Sequence, residues 1–138
     1  MTRRSVILFR ILLILYIVAV AILCFAHFQS MKEVPDTLFG LEMDKIVHFL
    51  MFLPFPLLAY LAVGKVPGNP WKAIGGILLL FFAGSLIAAG TEVGQSFLPY
   101  RSADTNDFKA DALALAAGAL VTFIVMLCQG IRKSRDVR

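Results

Sequence analysis

EVGQSFLPYRSADTNDFKAD, residues Glu92 to Asp111, decides how the rest of this chain is read. It gathers Glu92, Gln95, Arg101, Asp104, Asp107, Lys109 and Asp111 between two apolar segments, each long enough to cross a bilayer. Its polar groups therefore belong where hydrocarbon meets water. Of the 138 residues 59% are hydrophobic and only 16% charged, a balance that a soluble domain of this size could not bury. In lipid the same balance is ordinary, because helices satisfy their own backbone hydrogen bonds. The expected fold class is all-α: a polytopic membrane protein forming a single domain over residues 1–138, with four transmembrane helices near 6–28, 46–63, 73–93 and 110–129.

The segment before the polar stretch is rich in small residues, among them Gly84, Ala88, Gly90 and Gly94, and the segment after it repeats the pattern at Ala110, Ala114, Gly118 and Thr122. Small residues four apart let helix backbones approach closely in lipid, so these two helices are expected to form a tight hairpin, unless the pattern is chance in an apolar composition. Further upstream GKVPGNPWK is a basic turn with Trp71 suited to the interface. Before it IVHFLMFLPFPLLAYLAV carries Pro54 and Pro56, which predict a bent helix. The first apolar run follows Arg3, Arg4 and Arg10. It reads as a retained helix rather than a signal peptide, because its uncharged stretch is too long for a signal core and no small residue directly precedes Cys24.

Four spans put both termini on one side. If that side also holds the Lys65 turn, it carries Arg3, Arg4, Arg10, Lys65, Lys72, Arg132, Lys133, Arg135 and Arg138, nine of the 13 basic residues, against a single acid, Asp136. The positive-inside rule then places the N-terminus and C-terminus in the cytoplasm, the polar stretch on the outer face, and the protein in the inner (cytoplasmic) membrane. Cys24 and Cys128 fall near opposite faces and read as apolar fillers, not a disulfide or a metal signature. The tail GIRKSRDVR is the solvated end of a membrane helix and too short to bind nucleic acid.

Asp44 and His48 are four apart at the start of the second helix, with Lys45 beside them; Glu92 and Gln95 are three apart at the outer end of the third. Asp104, Asp107 and Asp111 form one stripe if the last helix begins near Asp104. A capping role competes for Asp104, Thr105 and Asp44, and a lone His48 at an interface is usually structural. Glu92 is harder to explain structurally, since an acid at the edge of an apolar helix costs up to roughly 3 kcal/mol at mid-bilayer. Asp44, Lys45, His48, Glu92, Gln95, Arg101, Asp104, Asp107 and Asp111 are the candidate ligand-binding residues, and His48, Glu92 and Asp107 are the candidates for catalysis. If they converge, carboxylates outnumber cations, and the excess must be eased by a proton, solvent or a bound cation. No spacing here is a metal signature, so no metal or other cofactor is assigned.

DKIVHF before one apolar helix and EVGQSFLPYRSADTNDFKAD before another resemble the VanZ-like family, with its D-K-x-x-H-x-x-x-F start, E-x-x-Q-x-f-x-p-x-R segment and D-x-x-x-N-x-x-G helix entry. The patterns fall on Asp44, Lys45, His48, Phe52, Glu92, Gln95, Phe97, Pro99, Arg101, Asp104 and Asp107, from about Asp44 to Gly118. Two positions depart: Asp111 stands where the pattern has Asn, adding negative charge, and Ala114 where it has Gly, with Gly118 one turn later. The resemblance implies a bacterial envelope role, teicoplanin resistance among its forms, and secures no reaction.

Three functions compete. The first is binding or modifying an envelope or glycopeptide-related ligand such as a lipid-linked wall precursor, with Lys45 and Arg101 on its phosphate or carboxylate. The second is an interface enzyme using His48 or Glu92 as acid or base on a lipid-linked substrate. The third, a transporter or channel, needs an oligomer around a pore, and apart from Arg10 and Glu92 the helices offer it few ionisable groups. The bilayer is the partner common to all three.

Overall fold

A computed structural model describes residues 2–25, 37–38, 40–99 and 104–135. Five helices carry the fold: α1 (Arg3–Phe25), α2 (Met43–Phe52), α3 (Phe55–Val63), α4 (Pro70–Gln95) and α5 (Thr105–Arg135). A small antiparallel hairpin, β1 (Thr37–Leu38) and β2 (Leu41–Glu42), leads into α2. The α2–α3 pair acts as one span, so four helical segments are long and apolar enough to cross a membrane.

Each boundary has a local cause. Pro54 and Pro56 cannot donate to the helical ladder, and the second span breaks at Leu53–Pro54, which separates α2 from α3. The break is local, since Leu53 (φ −55°, ψ −43°) and Pro54 (φ −75°, ψ −18°) both stay in the right-handed helical region. Gly64 ends α3 in the left-handed conformation at φ 70°, its N–H bonded to the Tyr60 carbonyl. Asn69 opens α4 by accepting the Lys72 N–H at 2.8 Å, with Pro70 following it in the first turn. Asp104 opens α5 by accepting the Asn106 N–H at 2.9 Å. That cap starts the last helix at Thr105, earlier than the apolar pattern alone indicates, and brings Asp107 and Asp111 inside it.

The helices run alternately up and down, which gives the bundle two distinct ends. At one, Arg10 Nε donates to the Ala62 carbonyl at 3.1 Å, and Asn69, Pro70, Gly130 and Ser134 line a common cavity. At the other, Gln95 Nε2 donates to the Cys24 carbonyl at 2.9 Å, joining the ends of α1 and α4. Val20, Cys24, Phe52, Phe55, Ala59, Ala88, Ala114 and Leu115 form the main core. Outside it α1 exposes Ile7, Leu8, Ile11, Ile14, Leu15, Val18 and Ile22, a surface fit for acyl chains.

The small residues serve the expected hairpin at Gly84, where a Cβ would lie 2.5 Å from Leu115 of α5, but not all along the row. Helices α4 and α5 do share the most extensive contact in the bundle, yet a Cβ at Gly90 would meet nothing within 4 Å, and one at Gly94 would strike the Phe25 ring of α1. A Cβ at Gly118 would lie 2.3 Å from the Leu53 carbonyl oxygen and against the Pro56 ring. The small row of α5 therefore seats the proline break of α2–α3. A helix interruption presents backbone and ring atoms to its neighbour, and only glycine admits them this closely.

Candidate functional site

At the end of the bundle opposite the start of α1 and the end of α5, helices α2, α4 and α5 each turn polar side chains inward. His48 comes from the second turn of α2, Glu92 from the last turn of α4, and Asp107 and Asp111 from the first two turns of α5. The spacing of four between Asp107 and Asp111 stacks them on one side of the helix. His48 is 1% exposed and Asp111 0%, with Glu92 at 7% reaching the edge of the cluster.

His48 is its centre. Nδ1 stands 3.1 Å from Asp111 Oδ1 and 3.9 Å from Glu92 Oε1, and Nε2 stands 3.9 Å from Asp107 Oδ2. Each ring nitrogen thus faces carboxylate oxygen, and the donor of each contact follows the tautomer. One ligand atom apiece from His48, Glu92 and Asp111 falls within a 4.8 Å sphere of mutual distance, and the same holds for Asp44, His48 and Asp107. Glu92 Oε2 accepts the Asp104 N–H at 3.2 Å, which ties α4 to the start of α5. Among the described residues two buried oxygens, Glu92 Oε1 and Asp111 Oδ2, have no hydrogen-bond partner.

The contacts of the remaining candidates and of Lys109 lie around this cluster. Lys45 pairs with Glu42 one turn before it. Gln95 fastens the end of α1, and Asp104 caps α5. Lys109 donates to Asn106 Oδ1 at 3.1 Å. Arg101 lies outside the described residues. The cluster proper is His48, Glu92, Asp107 and Asp111, with Asp44 at its rim.

Beside the cluster a groove of about 280 Å³ opens between α4 and α5, lined by Ala89, Glu92, Val93, Asp104, Thr105 and Phe108. Each helix contributes both kinds of residue to the lining: apolar Ala89 and Val93 flank Glu92 on α4, and Phe108 follows Asp104 and Thr105 at the start of α5. Ala89, Val93 and Phe108 escaped the sequence reading because apolar residues carry no chemical signal in an apolar helix; the spacing of three from Ala89 to Glu92 is the one hint of a shared face. Tyr16 escaped it too, although its hydroxyl donates to the Met51 carbonyl and fixes α1 against α2.

The VanZ/LLP1 family profile matches residues 7–127, which takes in every member of the cluster. The chain belongs to the VanZ/LLP1 family. No curated protein and no solved structure matches it. As a VanZ/LLP1 protein with four apolar spans it is a multi-pass membrane protein.

Proposed function

We propose that this VanZ/LLP1 protein sits in the inner membrane with its termini in the cytoplasm and binds an amphiphilic envelope ligand at its outer face. The single observation that carries the reading is the groove between α4 and α5, apolar along Ala89, Val93 and Phe108 and polar along Glu92, Asp104 and Thr105. A lipid-linked wall precursor or a lipoglycopeptide has that division, with an acyl or isoprenoid chain beside a polar head. Lys45 and Arg101 are the cations assigned to a phosphate or carboxylate on the head. Positive charge concentrated at the other end of the bundle favours this orientation. Teicoplanin resistance is one consequence the family resemblance implies for such a ligand.

The test is lipid mass spectrometry on protein extracted from a Gram-positive host. Wild type should carry an envelope lipid enriched over the bulk membrane. Ala89→Trp, which fills the groove, should lose that lipid while keeping a monodisperse elution profile. Equal enrichment in both proteins, or none in either, overturns the reading. Teicoplanin susceptibility of the same strains separates lipid binding from resistance.

A second reading is favoured by one feature, the carboxylates on both nitrogens of His48. Such a placement orients an imidazole, which suits a general base acting on a lipid-linked substrate. Turnover that survives His48→Gln would remove it.

A further inference from the structure

The two unpartnered oxygens are the unexplained feature of the cluster. Among the described residues Glu92 Oε1 and Asp111 Oδ2 are buried without a donor, and a buried polar atom left unsatisfied has lost its water with nothing in exchange. Among the described residues no basic side chain makes an ion pair with Glu92 or Asp111 other than His48. Asp111, 0% exposed, puts a carboxylate at the most buried position of the site.

We propose that His48, Glu92 and Asp111 bind a first-row divalent cation such as Zn²⁺ or Mn²⁺, through His48 Nδ1 and one oxygen of each carboxylate. The inference concerns the same cluster as the functional reading above and rests on it only in taking these residues to be the working site. The geometry fits. Ligand atoms about 2.0–2.2 Å from a cation stand about 3–4 Å from one another, and the Nδ1 distances to Asp111 and Glu92 are 3.1 and 3.9 Å. Two carboxylates and one neutral imidazole balance a double positive charge, and the orphaned Glu92 Oε1, which faces Nδ1, gains a partner. Nitrogen with oxygen ligands selects a transition metal over Ca²⁺ or Mg²⁺, which favour all-oxygen shells.

Asp107 completes the arrangement from the other side. With Nδ1 on the metal, Nε2 carries the proton, and Asp107 Oδ2 at 3.9 Å is the carboxylate placed to receive it. A metal-bound histidine commonly donates its second N–H in this way. The cation also resolves a difficulty of the groove. Glu92 and Asp104 make it acidic, and a bound cation would give an anionic lipid head something to meet there.

Elemental analysis of protein purified in detergent without chelators, followed by titration with Mn²⁺ and Zn²⁺, tests the proposal. Wild type should hold about one metal ion per chain, and Asp107→Asn should weaken affinity about 10- to 100-fold. His48→Gln and Asp111→Leu should lose the site, and Cys128→Ser, at the far end of the bundle, should keep it. Should a ligand variant fail to fold, pulsed electron paramagnetic resonance of Mn²⁺-loaded wild type gives the answer alone, because a directly bound imidazole imprints nitrogen modulation. Absence of that modulation, or no binding of either ion, overturns the cation site. Lipid measured in the same preparations keeps the two readings apart: metal without lipid defeats the envelope ligand, and lipid without metal defeats the cation.

Discussion

At one end of the bundle Arg3, Arg4, Lys65, Lys72 and Arg135 are exposed, whereas at the other His48, Glu92, Asp107 and Asp111 are buried among three helices. The difference lies in direction rather than in number of charges. Outward charges keep their water and need no partner, so they cost little and fix little beyond orientation in the membrane. Inward carboxylates give up their water and must find protons, donors or a cation in a fixed geometry. Several of them around one histidine fix the geometry of three helices there, whereas the basic end presents only a surface.

The sharpest way to break this comparison is to bury a carboxylate at the wrong end. Met126 is buried against Tyr60 and Ala73 near the basic loop, and nothing there resembles the His48 cluster. Met126→Asp should cost about 3–5 kcal/mol, as an uncompensated buried charge does. Aggregation on size exclusion and a collapsed thermal midpoint are the expected result. A well-folded Met126→Asp would mean that this bundle accepts buried acids anywhere and that the cluster is nothing special.

Gly118 tests what holds the two ends in register. Its added Cβ would meet backbone oxygen, which cannot swing aside, so Gly118→Ala should destabilise by about 3 kcal/mol, at the upper part of the usual overpacking range. Gly84→Ala meets side-chain atoms of Leu115 and Phe55, which can move, and should cost about 1–2 kcal/mol. Comparable losses in both, by thermal unfolding in one detergent, would show that the proline break and Gly118 are not a rigid seat.

A smaller effect belongs to Gln95. Leucine there removes the donor to the buried Cys24 carbonyl and should lower stability by about 1–2 kcal/mol. Envelope lipid and metal should remain, since Gln95 faces α1 and not the cluster. Loss of metal in Gln95→Leu with stability intact would enlarge the site. Smallest of all, Lys65→Ala and Lys72→Ala should each change stability by less than about 0.5 kcal/mol, as exposed substitutions do. A larger loss would give the basic end a structural task of its own.

Much of the fold was legible because lipid simplifies the code. Uninterrupted apolar runs give the spans, and Pro54 with Pro56 marks the break in the second, since neither residue can donate a backbone hydrogen bond. The site was legible as a set of residue types: His48, Glu92, Asp107 and Asp111 stand out because ionisable groups at the rim of an apolar helix are expensive. Their division of labour was not. Gln95 and Asp104 look the same in the sequence as the residues that meet at His48, yet one ties helix ends and the other caps α5.

The sequence by itself determined the class of protein, the number of spans and the end at which the acids collect, because these follow from apolar length and from the placement of charge along the chain. Tertiary structure alone decided that three helices bring His48 within 3.1 Å of Asp111 and leave two carboxylate oxygens without a donor. It also decided that Gly118 meets the Leu53 carbonyl and not a partner glycine on α4. Distances between helices depend on rotation and depth, which backbone packing fixes, and no one-dimensional spacing records either.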